Sequence, residues 1–235
     1  CGIESSKFNA CFFGEYAEKY PQKAGQLKAP IQEGMDFVLS KRNKDGGFAA
    51  FDRENNVFAF WAAKSIAGID KLFTDKSQVD VTARVIEAMA ELQKGKLLAE
   101  IPGYEKIRLQ ACHFMYTQAA MLHQASPTAP LNRLWKATWF EGFLYGTSSA
   151  LSGLLHGDCI ISNKDEFFGN YLKLFSGIQN PDGGWGETVK LPLVEFTPSP
   201  SNAQQTGFVH HFYMDYFRHM ADKGEVCSIS AEHWE

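Results

Sequence analysis

The chain has 235 residues, enough to bury a sizeable core, and one domain spanning residues 1–235 is the default expectation. A formal net charge of −4 leaves no electrostatic footprint for nucleic acid. The apolar stretch from Gly142 to Leu155 is Gly/Ser-rich and fourteen residues long, too short to span a bilayer. Five cysteines, at 1, 11, 112, 159 and 227, are odd in number, scattered and without a C-x-x-C pair. That pattern argues against a disulfide framework and a zinc ribbon and favours a reducing compartment. The chain does not begin with Met and is expected to be a fragment, an excised domain or a processed product.

In chain order, Phe8 to Tyr20 reads as a helix with aromatics at 8, 12, 13 and 16, stopped by Pro21. Ala29 to Lys41 is amphipathic, with Ile31, Met35, Val38 and Leu39 on one face, and a turn follows at 44–48. Phe58 to Gly68 is a short alanine-rich helix. Val81 to Lys94 has a clear helical period, with Val81, Val85, Met89 and Leu92 inward and Arg84, Glu87, Glu91 and Lys94 outward. Tyr104 to Gln124 is a longer helical stretch ending at the loop 125–130. Gly142 to His156 has almost no polar face, which marks a buried helix. Asp165 to Ile178 and Gly207 to Asp222 are further helices. Between them, residues 188–205 form a Pro/Ser/Thr-rich connector, and 223–235 is a frayed acidic tail. No strand-like alternation persists, so the expected class is all-α, with buried and amphipathic helices in two concentric layers.

One helix-turn-aromatic device occurs twice. Asp45-Gly46-Gly47-Phe48 matches Asp182-Gly183-Gly184-Trp185, and in the same register Asn43 falls on Asn180, Arg42 on Gln179, Met35 on Leu172 and Ile31 on Phe168. The Asp-Gly-Gly turn ends a helix, and the aromatic returns onto whatever that helix packs against. Such internal repetition is the mark of a repeat architecture.

Gln179…Gly183-Gly184-Trp185 resembles the QW repeat of squalene and oxidosqualene cyclases. Four further stretches are similar to the bacterial squalene–hopene branch. They are Lys44 to Asp52 with Asn55-Asn56, Asp80-Val81-Thr82-Ala83-Arg84, Phe143 to Thr147 with Leu151-Ser152-Gly153, and Thr206-Gly207-Phe208 with Phe212-Tyr213. The resemblance covers most of the chain and corresponds to the C-terminal part of such a cyclase. It implies an α/α toroid, incomplete here because about eight helices are too few to close the barrel. It further implies an isomerase of triterpenoid biosynthesis that needs no cofactor. An aspartic acid protonates a linear polyprene, and a carbocation cascade runs in an aromatic-lined cavity. Such a protein would be cytoplasmic or peripheral to the cytoplasmic membrane of a bacterial-type cell.

Carbocations require π-faces rather than lone pairs around them, and water must be kept out. The resemblance places Phe208, Phe212, Tyr213 and Tyr216 or Phe217 on the family's C-terminal aromatic cluster. Trp135, Trp139, Phe143 and Tyr145 fall on a second. Read without the resemblance, these are core aromatics at helical spacing. Asp80 and Arg84 fall on a helix turn that in the family supports the catalytic acid, whereas by spacing alone they are an i,i+4 pair on a solvated stripe. The family's D-x-D-D-T-A acid motif has Glu4 to Ala10 at its place, and no two Asp residues of the chain lie closer than five positions. His211, Asp215 and His219 form a helical ladder of a kind that binds divalent metals. Helical histidines are more often surface or capping residues, and the resemblance implies no metal, so none is expected. The alternative to an enzyme is a degenerate, non-catalytic cyclase-like module that binds an apolar ligand or a protein partner.

Overall fold

Pro21, where the preceding helix is expected to stop, also opens the next: helix α1 spans Pro21–Ser40 with Pro at its first turn and Pro30 inside. A proline at the helix start gives up an N–H that has no intrahelical acceptor anyway. Pro30 removes an interior donor, but the half of α1 that precedes it is almost entirely exposed, so water can serve the freed carbonyl. These features belong to a computed structural model, which describes residues 16, 19–50, 76–94, 103–125, 133–137, 142–190 and 195–224. The helix expected over 58–68, most of that over 8–20, Trp139 and the tail from 225 lie outside the described residues.

The chain divides into two compact units, Cys1–Phe114 and Met115–Glu235. The first contains α1, helix α2 (Val79–Lys94) and the opening of helix α3 (Tyr104–Ala125). Ile31, Met35 and Val38 bury one stripe of α1, as the spacing predicts. On α2, Val81, Val85, Met89 and Leu92 are buried, but the outward stripe needs correction: Asp80 is only 3% exposed and Glu87 is 0% exposed. Glu87 is held inside by Arg84, whose Nη1 donates to Oε2 at 2.8 Å one helical turn back. A buried carboxylate is tolerable only with such a partner.

The second unit contains helices α4 (Phe143–His156), α5 (Lys164–Gly177) and α6 (Ala203–Asp222). Every residue of α4 up to Leu155 is buried, as its all-round apolar sequence implies. Tyr145 of α4 meets Phe208 of α6, and His156 meets Asp215, so these two helices run parallel. On α5, Phe168 meets Tyr216 and Phe175 meets Tyr213, which sets α5 antiparallel to α6. The connector contains a short hairpin: strand β1 (Glu187–Lys190) pairs antiparallel with strand β2 (Glu195–Pro198), Val189 opposite Phe196. Four-residue strands of Thr, Val and Phe are too short for alternation to stand out, and Pro198 sits at a strand end where no ladder donor is required. The class remains mostly helical, as expected of an α/α cyclase domain.

The two Asp-Gly-Gly turns are superimposable in their bonding. Asn43 N–H donates to the Gly47 carbonyl at 2.9 Å, and Asn180 N–H to that of Gly184 at 2.9 Å. Gly46 and Gly183 hold φ of +90° and +83°, the left-handed region that only glycine enters without strain. Asp45 and Asp182 each accept the N–H two residues on at 3.0 Å. Phe48 is 0% and Trp185 1% exposed. Each aromatic thus closes the core of its own unit. The cysteines depart from expectation, because Cys112 and Cys159 are each disulfide-bonded. Sequence spacing cannot show a pairing that depends on proximity in the fold.

Candidate functional site

The repeat extends further than the turn. In the first unit, Ser77 Oγ donates to Asp45 at 2.6 Å, Asn43 Nδ2 donates to Ser77 at 3.0 Å, and the Phe48 N–H donates to Thr82 Oγ1 at 2.9 Å. In the second, Ser201 Oγ donates to Asp182 at 2.6 Å, Asn180 Nδ2 to Ser201 at 3.0 Å, and the Trp185 N–H to Thr206 Oγ1 at 2.9 Å. Each turn is therefore clipped to the start of the next described helix by a Ser…Thr pair five residues apart. The Ser201 hydroxyl and the Gly184 N–H hold the Asp182 carboxyl below the usual carboxylate range. The units differ where their sequences do. Gln179 Nε2 donates to the Gly183 carbonyl at 2.7 Å, and Trp185 Nε1 to the Phe175 carbonyl at 2.8 Å. Arg42, standing in for the glutamine, donates instead to Gln110 at 3.1 Å.

Glu187, just past Trp185, fixes the start of α4. Gly142 at the helix N-cap has no side chain to offer, and the Glu187 carboxylate takes its place from 44 residues away. Oε2 accepts the Phe143 N–H and Oε1 the Leu144 N–H, both at 2.8 Å. A negative charge at a helix N-terminus is favoured by the helix dipole as well as by these bonds. Burial pushes this carboxyl above its ordinary range, and the two N–H groups pull it part of the way back. Gln205 of α6 holds the Glu187 backbone, donating at 3.3 Å to its carbonyl and accepting from its N–H at 2.9 Å. One residue thereby sets the origin of α4 against that of α6.

The aromatic candidates sort into four groups. Tyr145 and Phe208 stand 4.7 Å apart between centroids and join a residue from each of the two sequence clusters. Phe143 lies 6.3 Å from Phe196 of β2. Trp135 stacks on Tyr171 of α5 at 5.2 Å, and its backbone N–H is fixed by Thr147 at 2.9 Å. A Cβ on Gly146 would lie 2.5 Å from the Trp135 carbonyl oxygen, so glycine there lets this segment lie against α4. Phe212, Tyr213 and Tyr216 form the fourth group, packed with Phe168, Phe175 and Trp185; the Phe212 ring is wholly enclosed. Rings run in continuous contact from Trp135 through Tyr171, Phe167 and Phe168 to Phe212. Burial raises the Tyr171 and Tyr213 phenols, so both stay neutral and present π-faces rather than oxyanions.

In the first unit, Asp80 sits in the opening turn of α2, and Arg84 engages Glu87 one turn on. Among the described residues no group of three or more His, Cys, Asp or Glu side chains is placed to hold a metal. No described helix is long and apolar enough to cross a membrane.

The comparisons with known proteins agree with this architecture. Residues 16–215 match the family model described as the squalene–hopene cyclase C-terminal domain. Enfumafungin synthase of Hormonema carpetanum is 31% identical over 160 residues, covering 68% of this chain and 12% of that protein. The squalene–hopene cyclase of Bradyrhizobium diazoefficiens is 27% identical over 193 residues, covering 76% of this chain and 24% of its own. A squalene hopane cyclase of Aspergillus fumigatus is 27% identical over 176 residues, covering 68% and 24%. The chain thus spans about an eighth to a quarter of the length of these relatives, and no solved structure matches it. With residues 16–215 on the family model and both turn devices in place, the chain belongs to the squalene–hopene cyclase C-terminal domain family.

Proposed function

We propose that this chain supplies part of the aromatic wall of a class II terpene cyclase site, which holds a linear triterpene or polyprenyl substrate while a carbocation passes along it. The observation that carries this reading is the Tyr145–Phe208 pair, two rings from neighbouring parallel helices at 4.7 Å. Facing π-systems stabilise a cation without donating a lone pair to it. Phe143 and Trp135, seated on and beside α4, extend the same wall, with Trp139 as the further member read from the sequence. Phe212, Tyr213 and Tyr216 are proposed as further members of the site and pack against one another and against Phe175. Asp80 and Arg84 support an acid supplied from outside this chain. No cofactor enters this chemistry. The relatives named as squalene–hopene cyclases support an apolar polyprene as the substrate class. Attachment at the membrane surface suits such a substrate; the disulfide-bonded cysteines sit poorly with a strictly reducing compartment.

The experiment is binding of a linear C30 polyene that carries a protonated tertiary amine, a cation placed in an apolar chain, monitored by tryptophan fluorescence. Phe208→Leu is expected to weaken the amine at least tenfold more than it weakens the uncharged polyene, since leucine keeps the apolar surface and removes the π-face. Equal effects on both ligands overturn the reading. A second reading, a non-catalytic module that binds an apolar ligand or partner, is favoured by the absence of any close Asp pair from the sequence. Under it, both ligands bind and neither is converted, even when the acid-bearing part of a related cyclase is added.

A further inference from the structure

At the end of α4 and α6 away from Tyr145 and Phe208, three ionisable side chains meet. His156, in the last turn of α4, and His211, one turn before Asp215 on α6, each place Nε2 3.4 Å from Asp215 Oδ2. The Asp215 side chain is only 5% exposed, whereas those of the imidazoles are 24% and 44% exposed. A buried carboxylate is thus flanked by two bases that exchange protons with solvent, one from each helix. From these contacts we infer a proton-dependent clamp: protonation of His156 and His211 draws α4 and α6 together on Asp215, and deprotonation releases them.

The physical argument rests on charge and placement. A neutral imidazole at 3.4 Å offers the carboxylate at most a long hydrogen bond, whereas an imidazolium offers an opposite charge at the same distance, little screened at a buried site. Histidine is the side chain whose ordinary titration falls between pH 5 and 8. His156 has a second reason to accept the proton, because it lies at the negative end of the α4 dipole. His219 follows Asp215 by one turn on α6, and Arg218 beside it is exposed. Asp158, just beyond α4, is paired with Lys164 at 3.3 Å. Towards α6, α5 presents the uncharged rings of Phe168 and Phe175. The sign follows. Stability from the clamp is fully present below the unfolded-state histidine value of about 6.5 and is lost as pH rises through the folded-state value. The clamp stands on α4 and α6 alone and holds whatever ligand the aromatic pair takes.

The test is NMR titration of the imidazole protons in the full chain, together with thermal unfolding between pH 5 and 8. His156 and His211 are expected to titrate above the ordinary histidine value of about 6.5, and in Asp215→Asn their midpoints are expected to fall towards it. The wild-type Tm is expected to drop by several degrees more than that of His156→Asn between pH 5.5 and 7.5. If Asp215→Asn fails to fold, the His156→Asn and His211→Asn pair decides the matter, because each removes the like charge beside the remaining histidine, whose titration midpoint should rise while the pH-dependent part of Tm shrinks. Histidines that titrate at their ordinary value in the wild type, or pH profiles that the two asparagine variants leave unchanged, overturn the clamp. Neither result bears on the amine-binding experiment, so the two proposals fail separately.

Discussion

Replacing Glu187 tests how α4 is anchored. Glu187→Ala leaves two buried helix-start N–H groups, those of Phe143 and Leu144, without the acceptors they hold at 2.8 Å. An orphaned buried donor costs about 1–3 kcal/mol, and loss of a charge at the helix N-terminus about 0.3–1 kcal/mol more. The alanine variant should therefore lose about 2–7 kcal/mol, a large fraction of the roughly 5–15 kcal/mol that holds a domain together. Glu187→Gln keeps one acceptor and turns an amide N–H towards the second donor, so it should lose about half as much. The pH dependence has a definite sign. Burial raises the folded-state value above the ordinary 4.5, so the folded protein binds this proton more tightly than the unfolded chain does. The contribution linked to Glu187 is thus fully present below 4.5 and declines as pH rises through the folded value. Urea unfolding of the wild type and Glu187→Gln at a series of pH values measures it. The stability gap should narrow with rising pH through that window and then stay constant. An alanine variant within about 0.5 kcal/mol of wild type, the range of an ordinary surface substitution, would refute the capping role.

Three further outcomes concern the turns. For Asp182 the sign is opposite: its lowered value means that stability from the Ser201 contact is present above the model 3.8 and lost as pH falls through the folded value. Wild type and Asp182→Asn should therefore converge in acid, and acid unfolding curves will show whether they do. Trp185→Phe removes the donor to the Phe175 carbonyl and should cost about 1–3 kcal/mol by denaturant titration, more than one exposed contact would. Gly183→Ala forces a Cβ into the left-handed region and should cost about 1–2 kcal/mol although the space around it is open, which a matched Gly177→Ala control in open helix will separate.

The turn and its aromatic were legible because Gly-Gly, Asp and a large ring at fixed spacing have local causes. Burial of α4 was legible for the same reason, through its unbroken apolar period. What the sequence hid was long-range. Glu187 reads as one more charged residue until its 44-residue reach to Phe143 is known. The Ser77…Thr82 and Ser201…Thr206 clips lie 32 and 19 residues past their aspartates, and the two different separations conceal the repeat. Glu87 was misread because helical period assigns a face but not what packs against it; Arg84 turns to it and both leave the solvated stripe. The start of α1 was misplaced because proline reads as a stop on its C-terminal side and as a start on its own. For the site, Tyr145 and Phe208 were each named from the sequence, and their meeting rests on the parallel run of α4 and α6. Phe212 is more deeply enclosed than a wall position suggests, because Phe168 and Phe175 of α5 close over it.

This polypeptide alone should not cyclise squalene. Protonating an isolated alkene requires a very strong acid, obtained where neighbouring carboxylates raise one another's affinity for a proton and hydrogen-bond donors make that proton available. The sequence places Ser5, Ser6, Lys7 and Phe8 where such a cluster would stand, and hydroxyls and an ammonium cannot replace it. Glu4 without partners would ionise near its model value of about 4.3. The buried carboxylate of Glu87 accepts from Arg84 Nη1 at 2.8 Å and is committed to that pairing. Glu187 accepts two backbone N–H groups through both oxygens and has no direction left in which to present a proton to an alkene. Asp80 remains, buried in the first turn of α2. Incubation of the purified chain with squalene, followed by mass spectrometry, should give no cyclic triterpene above the background without protein. Product that is present with the wild type and disappears in Asp80→Asn would refute this and make Asp80 the acid.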